Sequence, residues 1–188
     1  MDTREKLVEA TRELLWARGY TATSPKAILT AAGVGQGSMY HHFEGKEALA
    51  IEAIRVNGAE LRALIEADVT IPGTAVDRIE RYLLKCRDVL KGCRFGRIAQ
   101  DPHVIESPAL RAEVDEMFRW MCARLTQVIA QGQSDGDVPA DIDAKDLGAM
   151  VVAVVEGGYV LARARNDPDA FASAARGAVG LLRRIGGT

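Results

Sequence analysis

The sequence predicts an all-α fold, and three observations carry that reading. Apolar residues recur at three- and four-residue spacing along most of the 188-residue chain. Strict apolar/polar alternation bounded by turns never persists beyond a few residues. Caps and breakers such as Asp2, Gly19, Ser24-Pro25 and Asn166-Asp167-Pro168 stand where helices of ordinary length would start and stop.

Taken in order, the first helix is expected from about Thr3 to Arg18, with Asp2 and Glu5 in a capping-box relation and Leu7, Ala10, Leu14 and Leu15 on one face. Gly19 ends it. Ser24-Pro25 opens the next, because the hydroxyl accepts from a first-turn amide and proline at the first position gives up only an unpaired donor. That helix carries Ala27, Ile28 and Ala31 and stops at Gly33. From Lys46 a long helix reaches about Asp68, and Ile71-Pro72-Gly73 breaks the chain. Thr74 to Lys91 reads as one amphipathic helix (Val76, Ile79, Leu83, Leu90), followed by a short helix between Phe95 and Asp101. Ser107-Pro108 starts a helix running to about Gln133. Asp141 or Asp143 caps the next, whose Met150 to Val155 stretch is apolar on every side and so demands cover all round. The last helix, Asp169 to Ile185, carries Phe171, Ala174, Ala178, Val179, Leu181 and Leu182.

Composition bounds the function. Hydrophobic residues at 48% and charged residues at 27% are too apolar a mixture for disorder. No uninterrupted apolar run approaches the ~18 residues of a membrane span, and Met1-Asp2-Thr3-Arg4-Glu5 lacks a signal peptide's basic start. A cytoplasmic protein with no membrane partner is therefore expected. Cys86, Cys93 and Cys122 are odd in number and form no Cys-x-x-Cys, so neither a disulfide framework nor a sulfur-ligated zinc site is implied, and no metal or cofactor is expected. No serine, histidine and acid arrangement stands out, and no catalytic residue is assigned.

Residues 24 to 46 carry the chemistry. Two short helices joined at Gly33-Val34-Gly35 fit a helix-turn-helix, whose second helix enters the DNA major groove. Gly37 admits close backbone approach to base edges, Gln36 and Ser38 can hydrogen-bond them, and Tyr40, His41 and His42 are donors for phosphate oxygens. Ser24, Lys26 and Lys46 complete the candidate DNA-binding set. Val34, Met39 and Phe43 are expected to face the small core. Adjacent on a helix, His41 and His42 point to different faces and do not form a metal pair. Over residues 1 to 50, Arg4, Lys6, Arg12, Arg18, Lys26 and Lys46 balance Asp2, Glu5, Glu9, Glu13, Glu44 and Glu47, so binding rests on local placement and neutral donors, not on bulk charge.

The segments Gly19-Tyr20, Thr23-Ser24, Ala32-Gly33-Val34, Gly37-Ser38-Met39-Tyr40-His41-His42-Phe43 and Lys46-Glu47-Ala48-Leu49 together resemble the DNA-binding domain of the TetR family of bacterial transcriptional regulators. Gly35 departs from the serine that often caps the family's recognition helix. The resemblance implies an N-terminal three-helix DNA-binding domain over residues 1–46. It also implies a larger helical ligand-binding and dimerisation domain over 47–188, whose last two helices form a four-helix bundle with a second subunit. The partners so implied are a palindromic double-stranded operator, a small-molecule inducer and a second copy of the chain. Independently, the all-round apolar stretch to Tyr159 with Gly157-Gly158, and Gly177 and Gly180 among alanines, permit close helix contact and call for cover from outside the chain.

Polarisable and aromatic residues gather between these regions. Cys86, Phe95, His103, Met117, Trp120, Met121 and Tyr159, with Glu156 as a polar anchor, suit a mostly apolar pocket; the alternative is ordinary core packing. Cys93 sits in Lys91-Gly92-Cys93-Arg94-Phe95-Gly96 between cations that favour a thiolate. That pattern resembles family members that sense electrophiles through a cysteine, while a buried inert cysteine is the competing reading. The function expected is a repressor released from its operator by a small apolar or aromatic ligand that shifts the tilt of the Lys46 helix. A cysteine-based redox sensor is the alternative within the fold, and a helical thiol enzyme the alternative outside it.

Overall fold

The computed structural model describes residues 1–186. Among these there is no strand, and ten helices follow in order: α1 (Thr3–Arg18), α2 (Pro25–Ala32), α3 (Gln36–His42), α4 (Lys46–Val69), α5 (Ala75–Leu84), α6 (Arg94–Ile98), α7 (Pro102–Glu106), α8 (Pro108–Asp135), α9 (Ala144–Arg165) and α10 (Pro168–Ile185). The contacts divide the chain into two compact units, one formed by Met1–Glu60 with Cys93–Met117, the other by Leu61–Gly92 with the chain from Phe118 onward.

In the first unit the expected capping box closes α1, with the Asp2 carboxylate accepting from the Glu5 amide at 2.8 Å and Glu5 reaching back to the Asp2 amide at 2.8 Å. The Ser24 hydroxyl caps α2, accepting from the Ala27 amide at 3.2 Å. Gly33 ends α2 with φ of 65°, a left-handed conformation in which a Cβ would be strained. Leu7, Leu15, Ile28, Met39, Leu49 and Phe95 are buried in this unit's core. α6 packs on α1, so a segment distant in sequence helps to hold the first helix.

The second unit places α10 against both α9 and α5. Gly158 of α9 lies so near the Phe171 ring that a Cβ would sit 2.8 Å from it. Within Met150 to Val155, Val151, Val152 and Val155 are buried while Ala153 is exposed. By length and composition α9 could cross a membrane, with a mean hydropathy of 1.5. α10 nevertheless covers one side of it, as for the core helix of a globular unit.

Three boundaries differ from expectation. α5 ends at Leu84, not Lys91, because Lys85 turns extended (φ −60°, ψ 150°) and the Arg87 guanidinium donates to the carbonyls of Tyr82, Leu83 and Lys85, taking up the helix's last acceptors. The one short helix expected from Phe95 to Asp101 becomes α6, which stops at Ile98, and a separate α7. Asp101 caps α7 through the His103 amide at 3.2 Å, and Pro102 takes its first position. α8 continues past Gln133 to Asp135.

Candidate nucleic-acid interface

The short helix α3 has a strict inside and outside. Met39 is fully buried and Phe43, just past the helix end, is 8% exposed, whereas Gln36, Gly37, Tyr40, His41 and His42 face solvent. Ser38 and Val34 are half-buried. Period 3.6 alone produces this division, since one turn carries Met39 inward and the residues on either side outward. Gly35 precedes the helix without any side-chain cap. The His41 and His42 rings meet edge to face at 5.0 Å at the exposed end of the helix.

α2 presents a second donor group. Ser24 and Lys26 are exposed, and with Arg18, Ala27, Thr30 and Ala31 they line an open notch of about 420 Å³. Arg18 and Thr30 were not among the residues expected to bind. Their signal lay in helical spacing, since Thr30 follows Lys26 by one turn and Arg18 ends the preceding helix.

The segment that carries this face holds no acidic residue of its own, despite the module's neutral sum. From Gly19 to Phe43 the chain carries Lys26 and no carboxylate. Three acids of the unit are engaged by arginines, Arg12 pairing with Glu9 at 2.6 Å and with Glu60, and Arg94 lying 3.7 Å from Glu13, while Asp101 reaches the segment at Thr21. A phosphate approaching α2 and α3 therefore meets hydroxyls, imidazoles and a lysine with no carboxylate on the segment that carries them.

Lys46 is placed differently. Its ammonium donates to the Tyr20 carbonyl at 2.7 Å and lies 3.8 Å from the centroid of the Tyr20 ring. Burial pulls its pKa below the ordinary lysine value, and the Asp101 charge offsets part of that. Burial also raises the Tyr20 phenol, with Glu47 and Asp101 adding to it.

The residues expected to form a ligand pocket distribute between the two units. In the first, Phe95 and Met117 are buried and face Gly58, at 3.6 and 3.8 Å from where its Cβ would stand. His103 is exposed and touches Thr21 at 2.9 Å. In the second, Met121 is buried, Trp120 lies under the Arg62 guanidinium at 5.4 Å, and Tyr159 meets the Phe171 ring at 5.1 Å. Glu156 is half-buried and Cys86 is exposed. None of these eight residues lines the second unit's open cleft of about 550 Å³, which is walled by Asp68, Lys85, Glu80 and Arg183 among others. Lys85 bonds to Asp68, and Arg183 to Glu80. Cys93 is half-buried, and its sulfur caps α6 by accepting from the Gly96 amide at 3.3 Å. Its neighbour Arg94 is turned onto the Trp16 ring at 4.3 Å and donates to Asn57 at 2.5 Å. The Trp16, Asn57 and Arg94 assembly joins residues far apart in sequence, and no local pattern signals it.

Residues 7–53 match the family model described as bacterial regulatory proteins, tetR family, and residues 74–178 match the one described as tetracyclin repressor-like, C-terminal domain. The chain is 29% identical over 174 residues to the uncharacterized HTH-type transcriptional regulator YxaF of Bacillus subtilis, covering 88% of this chain and 87% of that protein. It is 27% identical over 176 residues to the HTH-type transcriptional repressor DhaR of a Mycobacterium species, covering 89% and 87%. A TetR-family regulator from Cytophaga hutchinsonii superposes with a TM-score of 0.87 at 24% identity, over 99% of this chain and 96% of that one.

Proposed function

Given that the chain belongs to the TetR family of bacterial transcriptional regulators, we propose that it is a homodimeric repressor that reads a palindromic operator through α3 and leaves it when a small apolar or aromatic ligand binds. The observation that carries the DNA-reading part is the two-sided character of α3. Met39 anchors the helix while Gln36, Gly37 and Tyr40 stand outside with no carboxylate between Gly19 and Phe43. Gln36 presents an amide to base edges at the start of the helix, and Gly37 leaves its backbone open, with nothing within 4 Å of where a Cβ would be. Tyr40, His41, His42 and the α2 notch supply phosphate donors that set register and carry no sequence information themselves.

Regulators of this family bind DNA operators and dimerise, and the second unit offers a surface for the second requirement. On α9, Ala153, Gly157, Val160 and Leu161 are exposed at helical spacing; on α10, Gly177, Gly180 and Leu181 are exposed likewise. Leu181 is 58% exposed and Val160 55%, apolar surface that a second copy would cover. Two recognition helices held by such a dimer must match successive major grooves roughly 34 Å apart. A ligand releases the protein only if it binds the other spacing better. The apolar or aromatic character of the inducer is an expectation from the composition of this part of the chain, which holds Phe95, Met117, Trp120 and Tyr159. Relatives sharing this plan are named as transcriptional regulators, one of them a repressor, and none of those named above is an enzyme.

Selection of random duplexes by gel shift tests the reading. Enrichment of an inverted repeat is the expected result, and a pool that stays random after several rounds contradicts it.

A further inference from the structure

We propose that Asp101 is a positioning residue for operator binding: its carboxylate latches the α1–α2 turn through Thr21 and so sets the pose in which α2 and α3 meet DNA. The inference rests on the DNA-reading function above and adds to it a residue that never touches the nucleic acid.

Asp101 and Thr21 are eighty positions apart in sequence and lie within the same compact unit. One carboxylate oxygen accepts from the Thr21 amide at 2.8 Å, and the other accepts from the Thr21 hydroxyl and from the His103 amide at 3.2 Å. Because the single hydroxyl proton of Thr21 goes to Asp101, the 2.9 Å contact between Thr21 Oγ1 and His103 is made by Nδ1–H donating to the hydroxyl oxygen. Every partner of the carboxylate is thus a donor. Burial alone would raise the Asp101 carboxyl, but the hydrogen bonds from Thr21, His103 and Tyr20 outweigh it and hold the group below its ordinary value. The chain accommodates the approach with glycine at the helix end, for a Cβ on Gly19 would stand 3.0 Å from the same carboxylate oxygen and φ there is 81°.

The turn is held from a second side. Lys46, the first residue of α4, donates to the carbonyl of Tyr20, the residue before Thr21. Of the five residues that lead from α1 to Ser24, Tyr20 is therefore pinned to the start of α4 and Thr21 to the cap of α7. With the turn released, α2 and α3 sample poses that do not fit the groove, and apparent affinity falls with the fraction that does fit.

Asp101→Asn places an amide N–H₂ against a donor whichever way it turns, while Thr21→Val removes the hydroxyl at an exposed, isosteric site and Thr21→Ser retains it. On the free dimer, hydrogen exchange of the Thr21 to Thr23 amides is expected to quicken about tenfold in Asp101→Asn and Thr21→Val, and to stay at the wild-type rate in Thr21→Ser. On the inverted repeat enriched by the wild type, the first two variants are expected to bind about tenfold more weakly with an unchanged slope of log affinity against log salt, since no phosphate contact has been removed. Unchanged exchange overturns the latch. Faster exchange with unaltered affinity overturns its role in DNA binding. A wild type that enriches no duplex sinks the DNA-reading function instead, and exchange in the three variants then decides the latch by itself.

Discussion

The Lys46 ammonium sits 3.8 Å from the centroid of the Tyr20 ring while donating to that residue's own carbonyl at 2.7 Å. So engaged, the ammonium ties the Tyr20 carbonyl to the first residue of α4. Lys46→Met keeps the aliphatic stem and removes the charge, so it should lower stability by about 1 kcal/mol, read from the urea midpoint at constant m. A variant of unchanged stability whose operator binding has a shallower salt slope would instead identify Lys46 as a phosphate contact.

Gln36 and Tyr40 should separate base reading from anchoring. Gln36→Ala is expected to relax preference at one position of each half-site by about 1–3 kcal/mol. Tyr40→Phe should weaken specific and unrelated duplexes by similar factors, as loss of a phosphate donor requires. Binding-site selection with each variant measures both.

Gly177 and Ala178 are neighbours with different surroundings. Nothing lies within 4 Å of a Cβ on Gly177, whereas Ala178 is 5% exposed and packed inside its own unit. Gly177→Leu should therefore leave the protomer folded and shift sedimentation toward monomer. Ala178→Leu overpacks the core and should cost about 1–3 kcal/mol of stability. A Gly177→Leu protein that stays dimeric at micromolar concentration would remove α10 from the interface.

Asp101 makes an acid-side prediction. The unfolded chain takes up its proton near the ordinary carboxylate value of ~3.9, and the folded protein only at lower pH, so between the two the unfolded state binds more protons. The stability that Asp101 contributes is present above that ordinary value and is lost as pH falls through the folded one. Denaturation midpoints of Asp101→Asn should fall less steeply below about pH 4 than those of the wild type; parallel curves would contradict the assignment.

Cys93 divides ligand sensing from thiol sensing. Serine is a good helix cap and can accept from the Gly96 amide in place of the sulfur. Cys93→Ser should keep the fold and still respond to an apolar inducer reversibly on dialysis. A mass adduct on Cys93 together with loss of response in the serine variant would establish an electrophile sensor instead.

Much of the fold was legible because its boundaries are written locally. Asp2 with Glu5, Ser24 before Pro25 and Gly33 after Ala32 each supply a cap whose chemistry acts within a few residues, and α1 and α2 fall where those caps stand. The burial of Met39 beside the exposed Tyr40 follows from helical period alone. The apolar spacing that Leu90 continues extends α5 too far, whereas the guanidinium of Arg87, folding back on Tyr82 and Leu83, ends it. α7 had a local signal in Asp101-Pro102 that the apolar pattern obscured. The bonds from Asp101 to Thr21 and from Arg94 to Asn57 join residues dozens of positions apart, and neither composition nor spacing encodes such partners.

The central claim is that two copies of α3 read one operator. Fluorescence anisotropy of the enriched inverted repeat, titrated beside the same duplex with one half-site scrambled, tests it most directly. Two protomers per intact duplex and an affinity at least about 100-fold weaker for the scrambled one are the expected result. Equal affinity for the two duplexes and for unrelated DNA would contradict it.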